Sequence, residues 1–258
     1  YRGISNDVMG ISEDEEGYDS TKYVGSDGKL KALIYLPTKT GLCCGPSLHE
    51  LMHHWGNYSL STGNLRASTF DTNVIHPEDA MDEEHSGSHW GVSSINGQLG
   101  GFDLSTLQDL GDNWYTAEPF GTYANGGNSV PYSNFELYLM GLIPPEEVED
   151  IVLFRGIAAT AGDFFDEHKW YADKKITVTI EDIIEKLGPR VPDHTESQKE
   201  FRIMTLVLTD EPLTEEEWTY FSNQAKNFED KFSWATGNRA SVKLGDLDNC
   251  TIPSLNPC

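Results

Sequence analysis

The sequence predicts an α+β fold, on three observations. Some segments carry apolar residues at helical spacing, and others alternate or run continuously as strands do. These segments lack the regular strand–helix alternation of a doubly wound sheet. A chain of 258 residues with 11 Phe, 11 Tyr and 6 Trp is long and aromatic enough to bury a core. We therefore expect residues 1–258 to form one α+β domain.

The first half of the chain predicts a strand, a helix and a long loop region. Residues 30–36 (LKALIYL) favour a strand that Pro37 ends. Residues 45–56 (GPSLHELMHHWG) favour a helix, because Gly-Pro precedes the apolar positions and Gly56 supplies a stop. Residues 57–130 are dominated by Gly, Ser, Asn, Asp and Thr. Loop regions this long in a compact domain usually carry function.

The pattern of the second half predicts three helices and two strands. The helices are expected over residues 132–142, 181–187 and about 214–232, and the strands over residues 176–180 and, buried, 201–208. Ser133 or Asn134 supplies the N-cap of the first of these helices. Thr214 and Glu217 have the spacing of a capping box for the last. The two halves together give a mixture of helices and strands.

The net charge of −24 argues against nucleic acid and anionic membranes as partners, because both repel an acidic protein. No apolar run approaches the roughly 20 residues that span a bilayer. Two acidic clusters offer the oxygen ligands that a structural Ca²⁺ prefers, although neither fits the twelve-residue calcium loop. They contain Glu13, Asp14, Glu15 and Glu16, and Glu78, Asp79, Asp82, Glu83 and Glu84. The alternative is that both are solvated acidic loops.

The four cysteines favour an oxidising, extracytoplasmic compartment. They form a vicinal pair, Cys43 and Cys44, and a C-terminal pair, Cys250 and Cys258. No C-x-x-C spacing indicates a zinc knuckle, and four thiols allow three full pairings between which the sequence does not choose. We therefore expect disulfide bonds and a secreted protein, with the pairing left open.

The most informative segment is His49-Glu50-Leu-Met-His53. Residues four apart lie on one face of a helix, so His49 and His53 can offer two imidazoles to one Zn²⁺. Glu50 then lies beside the metal, where it can accept a proton from a water that the metal activates. A third His six residues beyond the second is absent, because position 59 is Ser59. The third protein ligand must therefore come from farther along the chain.

His89 is the first candidate for the third ligand. It lies in residues 87–91 (GSHWG), a turn of small residues that lets the backbone bring an imidazole close to a metal. Glu136 is the second candidate, either as a ligand or as a partner that orients a ligating imidazole, because a lone charge in an apolar helix is costly. His85 and His76 are further alternatives.

Two tyrosines and a methionine are candidates for supporting roles. Tyr138 and Tyr132 can donate to the oxyanion that forms when water attacks a carbonyl, and core packing is the alternative for both. Met140 can form an apolar floor under the metal, although a core position is the simpler interpretation. His54 points roughly 100° away from His53 on a helix, so we expect it to be exposed or to support a ligand.

The His-Glu-Leu-Met-His segment resembles the zincin superfamily of zinc metallopeptidases. Together with the GSHWG turn and the FELYLMGL segment, it is similar to secreted bacterial proteins of zincin type. The resemblance implies that His49 and His53 bind zinc and that Glu50 is the general base. It also implies a cleft between an upper lobe, about 1–57, and a lower lobe, about 58–258. The third ligand is not carried over.

These observations predict a secreted zinc-dependent endopeptidase acting on protein or peptide substrates, with Glu50 and Tyr138 as catalytic residues and His49, His53 and His89 as ligands of one zinc ion. Two alternatives stay open. One is a zinc hydrolase acting on an ester or a non-peptide amide. The other is a secreted recognition or adhesion module with a structural metal. The sequence leaves cleavage preference and oligomeric state undetermined.

Overall fold

The structure is a computed structural model, and it describes residues 1–12, 17–57, 59–60, 88–121, 124–159 and 161–245. The α-helices in these ranges are α1 Gly41–Cys44, α2 Ser47–Met52, α3 Asn134–Leu139, α4 Ala161–Phe165, α5 Ile180–Leu187 and α6 Glu215–Ala235. The strands are β1 Arg2–Gly3, β2 Ser5–Asn6, β3 Tyr18–Asp19, β4 Ala32–Leu33, β5 Gly101–Phe102, β6 Gln108–Gly111, β7 Trp114–Thr116, β8 Phe120–Gly121, β9 Ile151–Ala158, β10 Lys169–Val178, β11 Glu200–Ile203 and β12 Ser241–Leu244. The mixture of helix and sheet confirms the predicted α+β class.

The largest sheet is antiparallel and has the strand order β6-β7-β10-β9. Its longest pairing joins β9 to β10, from Ile151 opposite Val178 to Ala158 opposite Tyr171. One side of this sheet packs a mainly aromatic core whose largest members are Phe102, Phe154, Phe164 and Trp170, all fully buried. The sheet therefore has a core of its own.

A second core lies between α2, α3 and α6 and contains the helix that carries the histidine motif. Leu48 and Met52 of α2 are fully buried, and so are Leu139 of α3 and Phe232 of α6. Leu48 and Met52 are four residues apart and share one face of their helix. Burial of that face fixes α2 against the rest of the domain.

Two of the predicted strands are longer than the observed ones, whereas the strand predicted over residues 176–180 is the end of the longer β10, Lys169–Val178. Residues 30–36 form only the two-residue strand β4, and residues 201–208 form only β11. The register of β11 with its parallel partner β12 ends at Ile203 opposite Leu244. Beyond it Met204, Leu206 and Leu208 are exposed, at 70%, 61% and 87%. The prediction of a buried strand through residue 208 is therefore wrong, because the observed pairing ends before the apolar run does.

Three of the described helices begin with a capping box. In it, the N-cap hydroxyl accepts from the backbone N–H of the third helical residue, and the carboxylate of that residue accepts from the backbone N–H of the N-cap. The pairs are Ser133–Glu136 in α3, Thr179–Asp182 in α5 and Thr214–Glu217 in α6. Ser133, rather than Asn134, is thus the N-cap of α3. The carboxylate of Glu136 is fully buried, whereas the side chain of Glu217 is 40% exposed.

Candidate metal centre

Helix α2 positions two of the predicted ligands. His49 lies inside the helix, and His53 is its C-cap with helical backbone angles of φ −59° and ψ −11°. The four-residue spacing therefore keeps its helical geometry, and the Nε2 atoms of the two imidazoles lie 3.2 Å apart. The apolar side chains of Leu48 and Met52 face the core, which leaves the histidine face for the site.

The turn that follows Ser88 brings the third predicted ligand to the same place. The Nε2 atom of His89 lies 3.3 Å from that of His49, and the rings of the two residues stack with centroids 5.2 Å apart. One ligand atom from each of His49, His53 and His89 lies within 4.8 Å of the others. The structure thus brings together the three residues that the sequence suggests.

Two of the imidazole rings are held by hydrogen bonds at Nδ1, the ring nitrogen that is not part of the cluster. Nδ1 of His49 lies 2.8 Å from the backbone oxygen of Gln98, and Nδ1 of His53 lies 2.9 Å from Oδ1 of Asn57. Asn57 turns its oxygen to the ring because its amide nitrogen donates to the His53 carbonyl at 2.7 Å. A carbonyl oxygen only accepts, so Nδ1 of each ring carries a proton, and in the neutral form of the ring Nε2 does not. This is the tautomer that a metal-binding histidine needs.

Two of the separations among the three nitrogens match those at a tetrahedral metal ion. Two nitrogens bound at 2.0–2.1 Å to a tetrahedral zinc lie about 3.3 Å from each other. The observed separations are 3.2 Å between His49 and His53 and 3.3 Å between His49 and His89. Unprotonated Nε2 atoms as close as those of neutral His49 and His53 repel each other without a cation between them, so this pair suits a metal better than it suits an empty core.

The local electrostatics keep two of the imidazoles neutral. Burial, with a smaller contribution from the His49 ring, lowers the pKa of His53 to about 4. Burial also lowers the pKa of His89 to about 4, with contributions from His53 and His49. Neutral imidazole is the form that binds metals, so both residues can bind one at neutral pH without first losing a proton.

Glu50 follows His49 on α2 and lies within electrostatic range of the ring cluster. Its side chain is 22% exposed, and its Oε2 accepts a hydrogen bond of 2.8 Å from the α-amino group of Tyr1. Burial raises the pKa of Glu50, but the hydrogen bond and positive charge of the Tyr1 amino group, followed by smaller contributions from His49 and His53, outweigh burial and leave that pKa lowered. Glu50 is therefore ionised at neutral pH and able to accept a proton.

The N-terminus of α2 is capped by a residue that the sequence does not reveal. Oδ1 of Asn128 accepts from the backbone N–H of Leu48 at 3.0 Å. Its Nδ2 donates to the Leu42 carbonyl at 3.0 Å and to Oγ of Ser47 at 2.8 Å. Asn128 thus connects Leu42, before the turn, to Ser47 and Leu48 at the start of α2. Its 80-residue separation from Leu48 explains why no local pattern identifies it.

Glu136, the second candidate for the third ligand, is directed toward N–H groups. Its Oε1 accepts from Trp90 Nε1 and Leu99 N, both at 2.8 Å. Its Oε2 accepts from Gln98 N at 2.9 Å and Ser133 N at 3.0 Å. Burial raises the pKa of Glu136, although these donors act in the opposite direction. Among the alternatives left by the sequence, this arrangement suits the orienting role rather than that of ligand.

The other candidate side chains lie in the core. The Tyr132 hydroxyl donates to the Leu48 carbonyl at 2.9 Å, which commits it to α2. Tyr138 is 3% exposed, burial raises its pKa, and its hydroxyl interacts with the backbone of Arg190. A role for Tyr138 as an oxyanion donor stays a prediction. Met140 is 1% exposed and belongs to the core.

Cys43 and Cys44, in α1, form an adjacent disulfide pair immediately before the turn into α2. Other predicted residues lie outside the part of the chain that the structure describes, namely His76, His85, Cys250, Cys258 and both acidic clusters. The expectations attached to them, including a structural calcium site, therefore stay predictions.

Comparison of the chain with protein-family models, with curated proteins and with solved structures finds no match. Among the described residues, no helix has the length and apolar character needed to cross a membrane.

Proposed function

We propose that this protein is a zinc-dependent endopeptidase of zincin type, in which His49, His53 and His89 bind one Zn²⁺ and Glu50 is the general base. The observation that supports this proposal most directly is the convergence of three Nε2 atoms beside Glu50, with neighbouring separations of 3.2 and 3.3 Å. The lobes at about 1–57 and 58–258 belong to the same proposal.

The number of ligands favours a catalytic over a structural metal. Structural zinc sites are closed by four protein ligands, whereas catalytic sites use three and leave one position open. The cluster among the described residues contains three histidines. An ionised carboxylate next to one of them on the same helix has no use in a closed site, but it is required for the activation of water.

The chemistry follows from the positions of these residues. Zinc, when bound, supplies a Lewis acid that polarises a carbonyl and lowers the pKa of water to about 7. Glu50 accepts the proton of the attacking water and later donates it to the leaving amine. Gln98 and Asn57 hold the rings of His49 and His53 in the orientation and tautomer that keep each Nε2 available.

A peptide substrate and an extracytoplasmic location are part of this proposal. The resemblance of the motif-bearing helix to zincins supports the peptide bond as the substrate. The cysteine content, with the Cys43–Cys44 pair, supports an oxidising compartment. The same chemistry serves esters, so the experiment must separate the two kinds of substrate.

The test is zinc content, measured by plasma mass spectrometry on dialysed protein, together with cleavage of an unfolded, dye-labelled protein. We expect one zinc per chain and cleavage that stops with 1,10-phenanthroline but continues with its non-chelating 1,7 isomer. One zinc with ester hydrolysis alone indicates a non-peptide hydrolase. One zinc without any hydrolysis indicates the recognition module, and absence of zinc overturns the proposal.

A further inference from the structure

The carboxylate of Glu136 lies inside the turn that carries the third histidine. Four N–H groups surround it, from Trp90, Gln98, Leu99 and Ser133, at 2.8–3.0 Å. The first three belong to the stretch 88–99, and Ser133 is the N-cap of the helix that contains Glu136. Both ends of the stretch are thus attached to one buried carboxylate.

One peptide group connects this carboxylate to a zinc-ligand candidate. The peptide between Gln98 and Leu99 donates its N–H to Glu136 Oε1 at 2.8 Å. The carbonyl of the same peptide accepts from His49 Nδ1 at 2.8 Å. A peptide group is planar and rigid, so its N–H and C=O directions are fixed relative to each other. The position of the carboxylate therefore determines where the acceptor of His49 lies.

The other end of the stretch carries His89. Trp90, its neighbour, is fully buried and donates its indole N–H to Glu136 Oε1. The backbone N–H of Trp90 donates to the Leu99 carbonyl at 2.8 Å, which closes the turn. The backbone next to His89 is therefore fixed by the same carboxylate that fixes the Gln98–Leu99 peptide.

The turn packs directly on the carboxylate at Gly97. A Cβ atom at this position would lie 2.2 Å from Glu136 Oε2 and 2.4 Å from its carboxyl carbon. Only a residue without a side chain permits this approach, since real Cβ atoms do not come so close to other heavy atoms. The contact between turn and carboxylate is thus close as well as hydrogen-bonded.

We propose that Glu136 is a positioning residue of the histidine centre, which sets the location of His89 and the orientation of His49 through the turn 88–99 without binding the metal. This inference rests on the proposed zinc site. It assigns to a capping-box glutamate a function beyond starting its helix, because its oxygens accept from the turn as well as from the N-cap.

The substitution Glu136→Gln tests the proposal with almost no change of shape. A glutamine has one acceptor oxygen and one NH₂ group, which only donates. Each oxygen of Glu136 accepts two N–H groups, so either orientation of the amide directs NH₂ toward two donors. The turn must then move away, and the rings of His89 and His49 move with it.

Glu217→Gln is the matched control. Glu217 occupies the same capping-box position in α6 and accepts from Thr214, but its side chain is 40% exposed. We expect zinc affinity, measured by competition with a chelating dye, to fall about 10–100-fold in Glu136→Gln. The visible spectrum of the Co²⁺-substituted protein should change with it. Both quantities should be unchanged in Glu217→Gln.

A second pair of variants leaves the carboxylate in place. Gly97→Ala inserts a Cβ atom against Glu136, whereas Gly245→Ala inserts one where no atom lies within 4 Å. We expect the first to weaken zinc and alter the Co²⁺ spectrum and the second to do neither. Because both Gly97→Ala and Glu136→Gln act on one contact, their effects on zinc affinity should be less than additive.

The results separate this inference from the proposed function. If the unmodified protein binds no zinc, the metal centre itself is wrong. If it binds zinc and folded Glu136→Gln keeps the same affinity and Co²⁺ spectrum, the positioning role is wrong and the metal centre stands. If Glu136→Gln does not fold, Gly97→Ala decides, and unchanged affinity and spectrum in that variant overturn the inference.

Discussion

The candidate metal centre has two halves that are built in different ways. The helical half takes His49, Glu50 and His53 from one short segment, and the spacing of a helix sets their geometry. The other half takes His89 from a turn, whose position depends on Glu136, 47 residues farther along the chain. The first half is specified locally, whereas the second exists only when distant parts of the chain have come together.

The largest expected effect belongs to the helical half. Glu50→Gln removes the proton acceptor but leaves all three imidazoles, so we expect zinc to stay at one per chain while kcat/KM falls about 10²–10⁴-fold. The measurement is peptide hydrolysis beside metal analysis. Glu185→Gln, on the exposed side of α5, is the control. Full activity in the Glu50 variant would refute the assignment of the base.

Removal of His89 tests whether the helical half binds metal alone. His89→Ala leaves two imidazoles. We therefore expect zinc affinity to fall by more than the roughly 10–100-fold that is typical of losing a residue hydrogen-bonded to a metal ligand. His168→Ala is the matched control, because His168 pairs with the exposed Glu118 on the surface. Zinc retained by His89→Ala with the affinity of the control would show that another residue is the third ligand.

Asn57 offers a test within the helical half itself. Asn57→Ala removes the acceptor of His53 Nδ1, which lies 2.9 Å away, but keeps the helix and the ring. We expect about 10–100-fold weaker zinc binding, comparable with Glu136→Gln in the other half. Affinity is read by dye competition, with the exposed Asn227→Ala as control. If zinc affinity falls for the variant of one half only, the histidines of the other half need no hydrogen-bond partner to bind zinc.

The smallest effect on zinc should come from Asn128, which supports α2 from its other end. Asn128→Ala leaves the buried N–H of Leu48 without its partner, whereas the Leu42 carbonyl keeps the hydroxyl of Ser47, so we expect a loss of about 1–3 kcal/mol in the free energy of unfolding. The midpoint of urea denaturation measures it. Asn227→Ala should stay within about 0.5 kcal/mol. A change in the free energy of zinc binding larger than the change in the free energy of unfolding would contradict the place of Asn128 as the smallest effect on zinc.

The parts of the fold that depend on neighbouring residues were predictable from the sequence. The N-cap candidates Ser133 and Asn134 and the capping box at Thr214 identify the starts of α3 and α6, because each cap is a contact over three residues. The strand lengths were not, since the extent of β11 is decided by β12, which lies 41 residues away. A strand ends where its partner ends, and that information is absent from its own residues.

The candidate site divides in the same way. The spacing of His49 and His53 and the small residues around His89 identify the histidines that the structure brings together. The acceptor of His49 is a backbone carbonyl, which every residue has, so no residue type identifies Gln98. The capping role of Asn128 is equally unpredictable, because nothing distinguishes it from other loop asparagines until its partner is known.

The convergence of His49 and His89 would also couple binding of the proposed metal to the folding of the chain. The unfolded chain does not hold these nitrogens 3.3 Å apart, so a metal bound by all three histidines binds the native state far better. Free zinc at about a thousand times its dissociation constant then stabilises that state by about 4 kcal/mol. The melting temperature of this protein should therefore rise with the zinc concentration of its surroundings.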